Sequence, residues 1–488
     1  MAETSPQRIT GSRRTLGLVG ITIHAMTLIA PGAFVWLLFP LQLSISARDI
    51  WPGVMLALGA AFLTSLGFSS LASRYPEAGN YSAYHFVQRV FSELSADRPL
   101  KWARPAKLLT GWSAHLFYWT YPGVMIAFMT TLVVYLLRQF GYQPTVFGEV
   151  ILVLSLAGFI GFLGLRGIRG SMSSSILLNV IQIVIVAVFS VLALAFRWFN
   201  PSNIPPEGWL YPQVQTVLIP QDLKIVLLQA SVSIFLVIGF EAVVSLGVAA
   251  ANPRRDIPRG VILSLLIQGL LAYSIQYFAF NAALPADISG LRASIAPLGD
   301  LAVLIGDHLL VGNGYTLMVI VAASVLLAAL AASLTSLNTG VRTTFAMALD
   351  DEMPEFLSLL HENYSTPYNA VIILTAVSAG VGILGTVGGI PALLGITLAA
   401  NLGAFILYGI ICVLTVVINI HEGGGAAWLS RVLALLGLLT NLVLAGVILW
   451  SAFGMDGSTA QGARLAIGIA VFWLIASLVY YGLRRGKK

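Results

Sequence analysis

The fold of this 488-residue chain is decided by its first long apolar stretch, ITIHAMTLIAPGAFVWLLF, which covers residues 21–39. A helix needs roughly 20 mostly apolar residues to cross the hydrocarbon core of a bilayer, and this stretch comes close to that length. Pro31 near its middle removes a backbone donor and clashes with the preceding turn, while Gly32 relaxes the limits on the backbone dihedrals. The sequence therefore predicts a membrane-spanning helix that is interrupted at Ala30-Pro31-Gly32-Ala33.

A second interrupted span covers residues 231–248 and reads SVSIFLVIGFEAVVSLGV, with Gly239 near its middle and Glu241 two residues later. Broken backbone at membrane depth is tolerated only where protein or a water-filled cavity satisfies the freed groups. Glycine and proline are common in membrane helices, so one such break alone would be typical of a simple kink. Two breaks in corresponding spans, the first and the sixth, instead predict a transport site between inverted repeats. The carboxylate at the second break supports this prediction.

The composition extends this interpretation to the whole chain, because 58% of the residues are hydrophobic and only 9% are charged. Soluble domains carry about 25% charged residues. Apolar runs between charge and turn clusters predict an all-α membrane protein of twelve spans. The predicted spans are 16–40, 51–73, 106–137, 146–165, 172–196, 224–249, 260–283, 314–339, 368–389, 391–419, 428–453 and 463–483.

The distribution of basic residues predicts the orientation. Of the 26 Lys and Arg residues, 20 lie in the two tails and in the loops after the even-numbered spans. Basic residues are enriched in cytoplasmic loops, so we expect both termini to be cytoplasmic, in a plasma membrane or a bacterial inner membrane. The same placement explains the formal net charge of +6 without a nucleic-acid partner. The six on the opposite side are Arg48, Arg138, Arg197, Lys224, Arg292 and Arg464.

Two polar positions inside the spans are candidates for function. Glu241 is the one acidic residue that the predicted spans place at mid-depth, where a charge costs about 3 kcal/mol on insertion scales, so such residues usually mark an ion, proton or substrate path. Its alternative role is to cap the freed donors of the broken helix. His24 lies two turns before Pro31 and is a weaker candidate for proton coupling, because a lone intramembrane histidine is more often simply packed and hydrogen-bonded.

Three motifs resemble the amino acid–polyamine–organocation superfamily of permeases. After span 2, Arg74-Tyr-Pro-Glu-Ala-Gly-Asn-Tyr81 is similar to the family's Pro-x-Ala-Gly-Gly-x-Tyr segment. Gly239-Phe-Glu241, followed by Asn252-Pro-Arg-Arg-Asp-Ile-Pro-Arg259, resembles its Gly-Phe-Asp/Glu and Asn-Pro-x-Arg-Asp-Ile-Pro pattern. The segment from Ser336 to Pro354, followed by Ser365-Thr-Pro367, resembles the family's Arg-to-Leu-Pro region and the start of span 9.

This resemblance implies a LeuT-like 5+5 inverted repeat with discontinuous helices 1 and 6 and alternating access. The implied parts are an N-tail of residues 1–15, repeats at 16–197 and 224–419 joined by an extracytoplasmic loop at 198–223, and two further spans with a C-tail at 420–488. The implied substrate-binding positions are Ala30, Pro31, Gly32, Ala33, Ile238, Gly239, Phe240 and Glu241, with Phe240 matching the aromatic ring that covers the substrate.

The sequence departs from the family pattern in two places. Relatives usually hold the substrate carboxylate with N–H groups of a glycine-rich turn in helix 1, whereas Pro31 leaves Gly32 and Ala33 as the expected donors. Many relatives carry a coupling Lys on helix 5, and the matching position by alignment from Gly167-Ile168 is Gln182. The candidate coupling residues are therefore Glu241, His24 and Gln182, and the mode of coupling stays open.

Amino acid uptake or exchange is the leading functional hypothesis, and transport of an amine, a polyamine or another small solute on the same scaffold is the alternative. The single Cys412 and six histidines predict no zinc site, and we expect no cofactor. No nucleophile elbow or P-loop indicates an enzyme or an ATP-driven pump, and no filter or charged ring indicates a channel. The expected partners are a small-molecule substrate, the lipid bilayer and, as a candidate coupling ion, a proton.

Overall fold

The computed structural model describes residues 16–76, 83–94, 103–166, 172–247, 250–364, 366–420 and 424–485 of the protein. Several predicted features fall outside these residues: the two tails, residues 77–81 of the first family motif, Ser365 of the third, and the Gly167-Ile168 pair used for the helix 5 alignment. Within the described residues, the extended pairings are isolated bridges, such as Leu16 with Ala250, and every longer element is helical.

Twelve helical segments are long and apolar enough to cross a membrane. We number them as spans 1 to 12. In chain order they are Leu18–Ile45, Ile50–Arg74, Ala103–Gln139, Val146–Arg166, Met172–Phe199, Leu223–Leu246, Pro253–Ala282, Gly314–Leu349, Tyr368–Val387, Gly389–Ile420, Gly425–Gly454 and Gly457–Arg485.

The twelve predicted spans therefore match twelve observed ones, and the differences lie at their ends. Span 8 continues ten residues beyond the predicted end, to Leu349, and span 7 begins seven residues earlier, at Pro253. A helix satisfies its own backbone hydrogen bonds. It can therefore continue past charged residues such as Arg342 and Arg259 into the membrane–water interface, where the sequence is no longer apolar enough to predict it.

Span 1 consists of two helices, Leu18–Ile29 and Pro31–Ile45, separated by Ala30. Ala30 has φ 37° and ψ 68°, in the left-handed region, which costs an L-residue roughly 1–2 kcal/mol. Pro31 explains this conformation, because proline disfavours a helical residue before it and offers no N–H to continue the ladder. The predicted interruption of helix 1 is confirmed.

Span 6 begins as an α-helix over Leu223–Ser233, tightens to a 3-10 turn at Ile234–Leu236 and resumes as a 3-10 helix over Phe240–Leu246. Gly239, between the two 3-10 segments, has φ 125°, which residues with a side chain rarely adopt. The predicted interruption of helix 6 is therefore confirmed as well.

Shorter helices connect the spans. Tyr84–Leu94 follows span 2, Pro206–Gly208 and Val214–Leu218 precede span 6, Ser289–Ala293 and Pro297–Leu309 follow span 7, and Glu355–Ser358 follows span 8. Because successive spans alternate in direction, the connections between them fall alternately at the two ends of the bundle. We call the end that carries residues 16 and 485 the terminal face, and the end with the connections 140–145, 200–222 and 283–313 the opposite face.

The centre of the bundle holds the interrupted spans. In the most apolar window of each span, 75% of residues are buried in span 1 and 78% in spans 3 and 6, against 22% in span 4 and 17% in span 12. The outer spans therefore present apolar side chains to lipid, while the two breaks lie in the protein interior.

Candidate functional site

The two helix breaks are packed against each other. A side chain at Gly239 would bring its Cβ within 2.8 Å of Leu28 Cγ, in the last turn before the break in span 1. Only glycine allows this approach, and it also allows the positive φ. Gly239 therefore both shapes the break in span 6 and joins it to the break in span 1.

Side chains from three other spans bind the polar groups exposed by the break in span 1. Tyr121 of span 3 donates its hydroxyl to the Leu28 carbonyl at 3.1 Å. Gln268 of span 7 donates its amide to the Met26 carbonyl at 2.8 Å, and Asn179 of span 5 donates to Thr27 Oγ1 at 2.8 Å. Protein side chains thus supply hydrogen bonds around the break, as a water-poor environment requires.

Just beyond the break lie the backbone amides of Gly32 and Ala33, which the sequence predicts as donors to a substrate carboxylate. Ala33 N–H donates to the Ala30 carbonyl at 3.0 Å, and Phe34 N–H donates to the same oxygen at 3.3 Å. Ala33 is therefore not a free donor, because the first turn of the second helix uses it. Gly32 N–H has no partner among the described residues, and it points from a helix N-terminus, where the backbone dipole favours an anion.

Glu241 is held by donors from three elements. Oε1 accepts from the Tyr118 hydroxyl at 3.1 Å, and Oε2 accepts from the Tyr408 hydroxyl at 2.9 Å and from Gly239 N–H at 2.9 Å. The side chain is buried, with 5% of its surface exposed. Its carboxylate therefore caps the break in span 6 and links spans 3 and 10 to it.

Aromatic rings close the space on both sides of these groups. Phe240 is fully buried and packs with Phe68 and Tyr408, at ring-centroid distances of 5.7 and 5.4 Å. On the other side of the breaks, Tyr121 stacks on Phe235 at 5.0 Å, and Phe34 lies against both rings. Phe240 thus contacts other rings here and not an open cavity.

A small cavity remains beside Glu241, lined by Tyr118, Ser245 and Thr339 among others, with a volume of about 10 Å³. On this scale a single water molecule needs about 10–15 Å³. The cavity beside Glu241 therefore has room for no more than about one water molecule, and a larger solute would fit there only if the surrounding helices separated.

The remaining predicted residues fall at different distances from Glu241. Ile238 is buried in the turn before Gly239, and its N–H donates to Ile234 O at 3.2 Å. Gln182 lies beside the first break, because a Cβ at Gly32 would come within 3.4 Å of the Gln182 Cβ. His24 lies in the first half of span 1, and no hydrogen bond joins it to Glu241 among the described residues. The structure therefore brings Gln182, but not His24, to a break.

The sequence interpretation missed the residues that hold the breaks. These are Tyr118, Tyr121, Tyr408, Asn179 and Gln268. Each is a polar side chain within an otherwise apolar span, and that is a usable signal. It did not identify them because other polar residues of the same spans, such as Thr130 and Thr415, bond within their own helix and look alike in the sequence.

Among the described residues, no group of three or more His, Cys, Asp or Glu is placed to hold a metal ion. The groups that the arrangement does offer are suited to recognition. It provides one unpartnered amide at a helix N-terminus, a buried carboxylate and an aromatic enclosure between two broken helices. These are groups that could bind a small polar solute without reacting with it.

Comparisons with known proteins agree with this geometry. A sequence model of the family described as amino acid permease matches residues 28–483, which is nearly the whole chain. The branched-chain amino acid permease BcaP of Bacillus subtilis is 24% identical over 408 residues, covering 82% of this chain and 80% of that protein.

Two other relatives match over a shorter region. An uncharacterized transporter of Mycobacterium tuberculosis is 28% identical over 257 residues, covering 52% of this chain and 50% of the relative. The methylthioribose transporter of Bacillus subtilis is 22% identical over 295 residues, covering 60% of this chain and 58% of the relative. The chain thus spans about half the length of the mycobacterial relatives that it matches.

Proposed function

The chain belongs to the amino acid permease family, and from this premise we propose that it is a secondary active transporter that moves amino acids across a membrane by alternating access. Family membership is consistent with a LeuT-like arrangement, in which two broken helices hold the solute while the rest of the bundle moves around them. The membrane we propose is the plasma membrane or a bacterial inner membrane.

The observation that carries this proposal is the pairing of the two helix breaks at the centre of the bundle. Gly239 contacts Leu28, while Tyr118, Tyr121 and Tyr408 bridge spans 3 and 10 to the breaks. Half-helix N-termini that face a carboxylate-bearing substrate recur in transporters. Gly32 N–H is the group of this chain that supports such recognition.

We propose that the solute carboxylate binds at Gly32, with Ala30, Pro31 and Ala33 forming the turn around it. Ile238, Gly239 and Phe240 then form the facing wall. Glu241 supports either of two roles, because a proton or a solute ammonium could replace one of its three neutral donors when the helices separate. Gln182 contacts the first break and is the proposed position of a coupling contact from span 5.

A second candidate function is transport of another small solute, such as an amine or a sulphur-containing sugar, on the same scaffold. Two observations support keeping it. One relative is named for methylthioribose, and Ala33 N–H, one of the two expected carboxylate donors, is already bonded to Ala30 O. With fewer donors for a carboxylate, recognition by Glu241 of a cationic or hydroxyl-bearing solute becomes a real alternative.

The test is uptake into proteoliposomes that contain the purified protein, with labelled amino acids, amines and methylthioribose offered in parallel. We expect saturable uptake of at least one amino acid, competed by unlabelled amino acid but not by its amide. Exchange is measured by preloading the vesicles, and proton coupling by imposing a pH gradient. Uptake confined to amines or to methylthioribose would replace the leading proposal with the second one.

For Gly32→Leu, a variant that should not transport, the matched control is Gly59→Leu, because Gly59 lies exposed in span 2 and a Cβ there meets nothing within 4 Å. This variant should insert and transport like the unaltered protein. It therefore shows that a glycine-to-leucine change within a span is not harmful in itself.

A further inference from the structure

A cavity of about 230 Å³ lies toward the opposite face of the bundle, away from the two tails. Its walls come from the second half of span 1, from spans 3, 4, 9 and 10, and from the residues just before helix Pro297–Leu309. The volume is more than ten times what one water molecule needs on this scale. Most of the lining is apolar, including Leu37, Phe128, Leu132, Ile390 and Leu393. We call this space the outer cavity.

The outer cavity is separate from the site at the breaks. None of the residues from Ala30 to Ala33 or from Ile238 to Glu241 is part of its lining. Along span 1, Phe34 stands between Gly32 at the break and Trp36 at the cavity wall, and Phe34 is packed against Phe235 at 5.7 Å. A solute in the outer cavity therefore still has an aromatic barrier between itself and the breaks.

Two polar groups in its lining are buried without a hydrogen-bond partner. They are the indole Nε1 of Trp36, a residue with 3% of its surface exposed, and the Thr386 hydroxyl. An indole N–H can only donate, and buried donors are nearly always paired in folded proteins. An acceptor within the cavity would pair it, and the apolar side chains of the lining offer none.

The lining also includes one basic and one acidic residue. Arg138 ends the apolar part of span 3, and Glu149 lies in the first turn of span 4. Neither forms an ion pair with another described residue. A guanidinium binds a carboxylate with paired hydrogen bonds, and a carboxylate attracts an ammonium. Together they present opposite charges beside an apolar space.

We propose that the outer cavity is a second binding site for an amino acid with an apolar side chain, distinct from the site between the breaks. The side chain of the ligand fills the apolar part, its carboxylate accepts from Arg138 and from the Trp36 indole, and its ammonium pairs with Glu149. Thr386 completes the polar contacts. This inference rests on the proposed transport of amino acids and adds a docking step at the opposite face.

The first test uses a thiol reporter in the cavity wall. Ile295→Cys in a Cys412→Ser background places the reporter among the lining residues, and Ile390→Cys provides a second, independent reporter on another wall. The purified protein in nanodiscs is reacted with a polar maleimide, with and without L-leucine as the probe. We expect L-leucine at four times its dissociation constant to slow labelling about fivefold by mass action.

The chemistry of the probe then identifies the ligand class. Leucinamide lacks the carboxylate and 4-methylpentanoate lacks the ammonium, so each should protect about tenfold less well than L-leucine, the factor that about 1.4 kcal/mol represents. Arg138→Gln should remove the advantage of L-leucine over leucinamide, and Glu149→Gln its advantage over 4-methylpentanoate. Gln215→Cys, at an exposed position of the short helix Val214–Leu218 before span 6, should label at the same rate with every probe.

Two outcomes would overturn the proposal. Equal protection by L-leucine and by a neutral alkyl alcohol would assign the cavity to lipid or detergent chains. Protection that both charge variants leave unchanged would mean that any effect comes from movement elsewhere in the bundle.

Transport kinetics measured separately from each face distinguish a failure of this proposal from a failure of the proposed function. In proteoliposomes of one orientation, Trp36→Phe and Thr386→Val should raise the KM for amino acid entering from the opposite face about fivefold, and leave the KM from the terminal face unchanged. A merely structural defect would change both. If no amino acid is transported at all, the proposed function fails, whereas the labelling experiment still reports whether the outer cavity binds L-leucine. Equal KM changes on both faces would argue against the docking step.

Discussion

At the scale of single residues, Glu241 shows how one side chain can serve both structure and function. Its carboxylate accepts from Tyr118, Tyr408 and the Gly239 amide, so it satisfies the broken backbone and fixes spans 3 and 10 against it. A carboxylate that holds three elements together also responds to any change in its charge. The two roles weighed from the sequence, capping and coupling, are therefore compatible.

We expect Glu241→Gln to abolish the dependence of uptake on a pH gradient while exchange of preloaded solute continues. The amide keeps one acceptor oxygen for the tyrosines and holds the position permanently uncharged. Uptake and exchange in proteoliposomes measure the two activities separately. A large fall in solute affinity in the Gln variant would instead indicate recognition of an ammonium group. No change in either activity would leave Glu241 with the capping role alone.

Gly32 shows how close helix packing constrains a position that the family resemblance assigns to the substrate site. In the structure, a Cβ at Gly32 would lie 2.9 Å from Cγ2 of Val186 in span 5. The first obstacle to substitution is therefore span 5, because the glycine lets the two helices approach closely.

We expect Gly32→Ala to reduce uptake, and the double variant with Val186→Ala to recover most of it, because removing the valine methyl groups relieves the close contact. Gly32→Leu should be inactive in both backgrounds, since its longer side chain still has no space. Initial uptake rates at matched expression test this. If Val186→Ala does not rescue Gly32→Ala, the added methyl group acts on the solute and not on span 5.

At the scale of elements, the ends of the spans are joined by short polar contacts. Asp49 precedes span 2 with φ 61° and is nearly fully buried. Its carboxylate accepts hydrogen bonds from the backbone N–H groups of Gln221 and Asp222, at 2.7 and 3.1 Å, immediately before span 6. One residue thus connects the opposite-face ends of spans 2 and 6.

We expect Asp49→Ala to lower the free energy of unfolding by about 2–4 kcal/mol, because two backbone amides in partly buried hydrogen bonds lose their acceptor and alanine disfavours the left-handed conformation. Asp49→Asn should cost clearly less, since asparagine tolerates that conformation and keeps one acceptor oxygen. Thermal unfolding of the purified variants compares the two. Equal destabilisation by Ala and Asn would show that the negative charge, and not the hydrogen bonding, matters at this position.

The helix Tyr84–Leu94 lies outside the spans and brings a half-buried histidine, His85, to the terminal face. His85 Nε2 lies 3.6 Å from Oδ2 of Asp350, which follows span 8 and also pairs with Lys107 at 2.7 Å. Burial lowers the pKa of His85 from 6.5 to about 4, against the opposing attraction of Asp350. The unfolded chain therefore binds a proton between these two pH values that the folded chain does not.

As a consequence, His85 should make the protein less stable as the pH falls from 6.5 toward 4, by up to about 3 kcal/mol. We expect His85→Gln to reduce the difference in unfolding temperature between pH 7 and pH 4.5. His308→Gln, which changes an exposed histidine near the opposite face, serves as the control. An unchanged pH difference in His85→Gln would assign the acid sensitivity to other groups.

At the scale of the whole molecule, the spans form layers around the breaks. Spans 1, 3 and 6 are the most buried, and spans 4 and 12 the least. Because most of the Lys and Arg residues belong to the tails and to the loops of the terminal face, the bundle as a whole carries the charge asymmetry that orients membrane proteins.

We predict that the terminal face is cytoplasmic. Glu207→Cys and Arg255→Cys, each in a Cys412→Ser background, place single thiols at exposed positions on the opposite face and on the terminal face. In intact cells, a membrane-impermeant reagent should label Glu207→Cys, and label Arg255→Cys only after the membrane is opened. The reverse pattern would contradict the predicted orientation.

The sequence by itself determined the number of spans, their approximate limits, the two interruptions and the family. Each of these depends on local chemistry. An apolar run of sufficient length must cross as a helix, Pro31 must interrupt the hydrogen-bond ladder, and Gly239 permits a positive φ wherever the helix lies. The helix ends were less well predicted, because helical hydrogen bonding continues beyond the apolar run into residues such as Arg342.

Only the tertiary structure decided which side chains complete the site. Tyr118, Tyr121, Asn179, Gln268 and Tyr408 come from spans 3, 5, 7 and 10, and their importance depends on the rotation of each helix about its own axis. The same geometry shows that Ala33 N–H is already bonded, that Gly32 faces Val186, and that Trp36 and Thr386 share a cavity with Arg138 and Glu149. Helix packing sets these relations between distant residues, and the apolar pattern of each span leaves them undetermined.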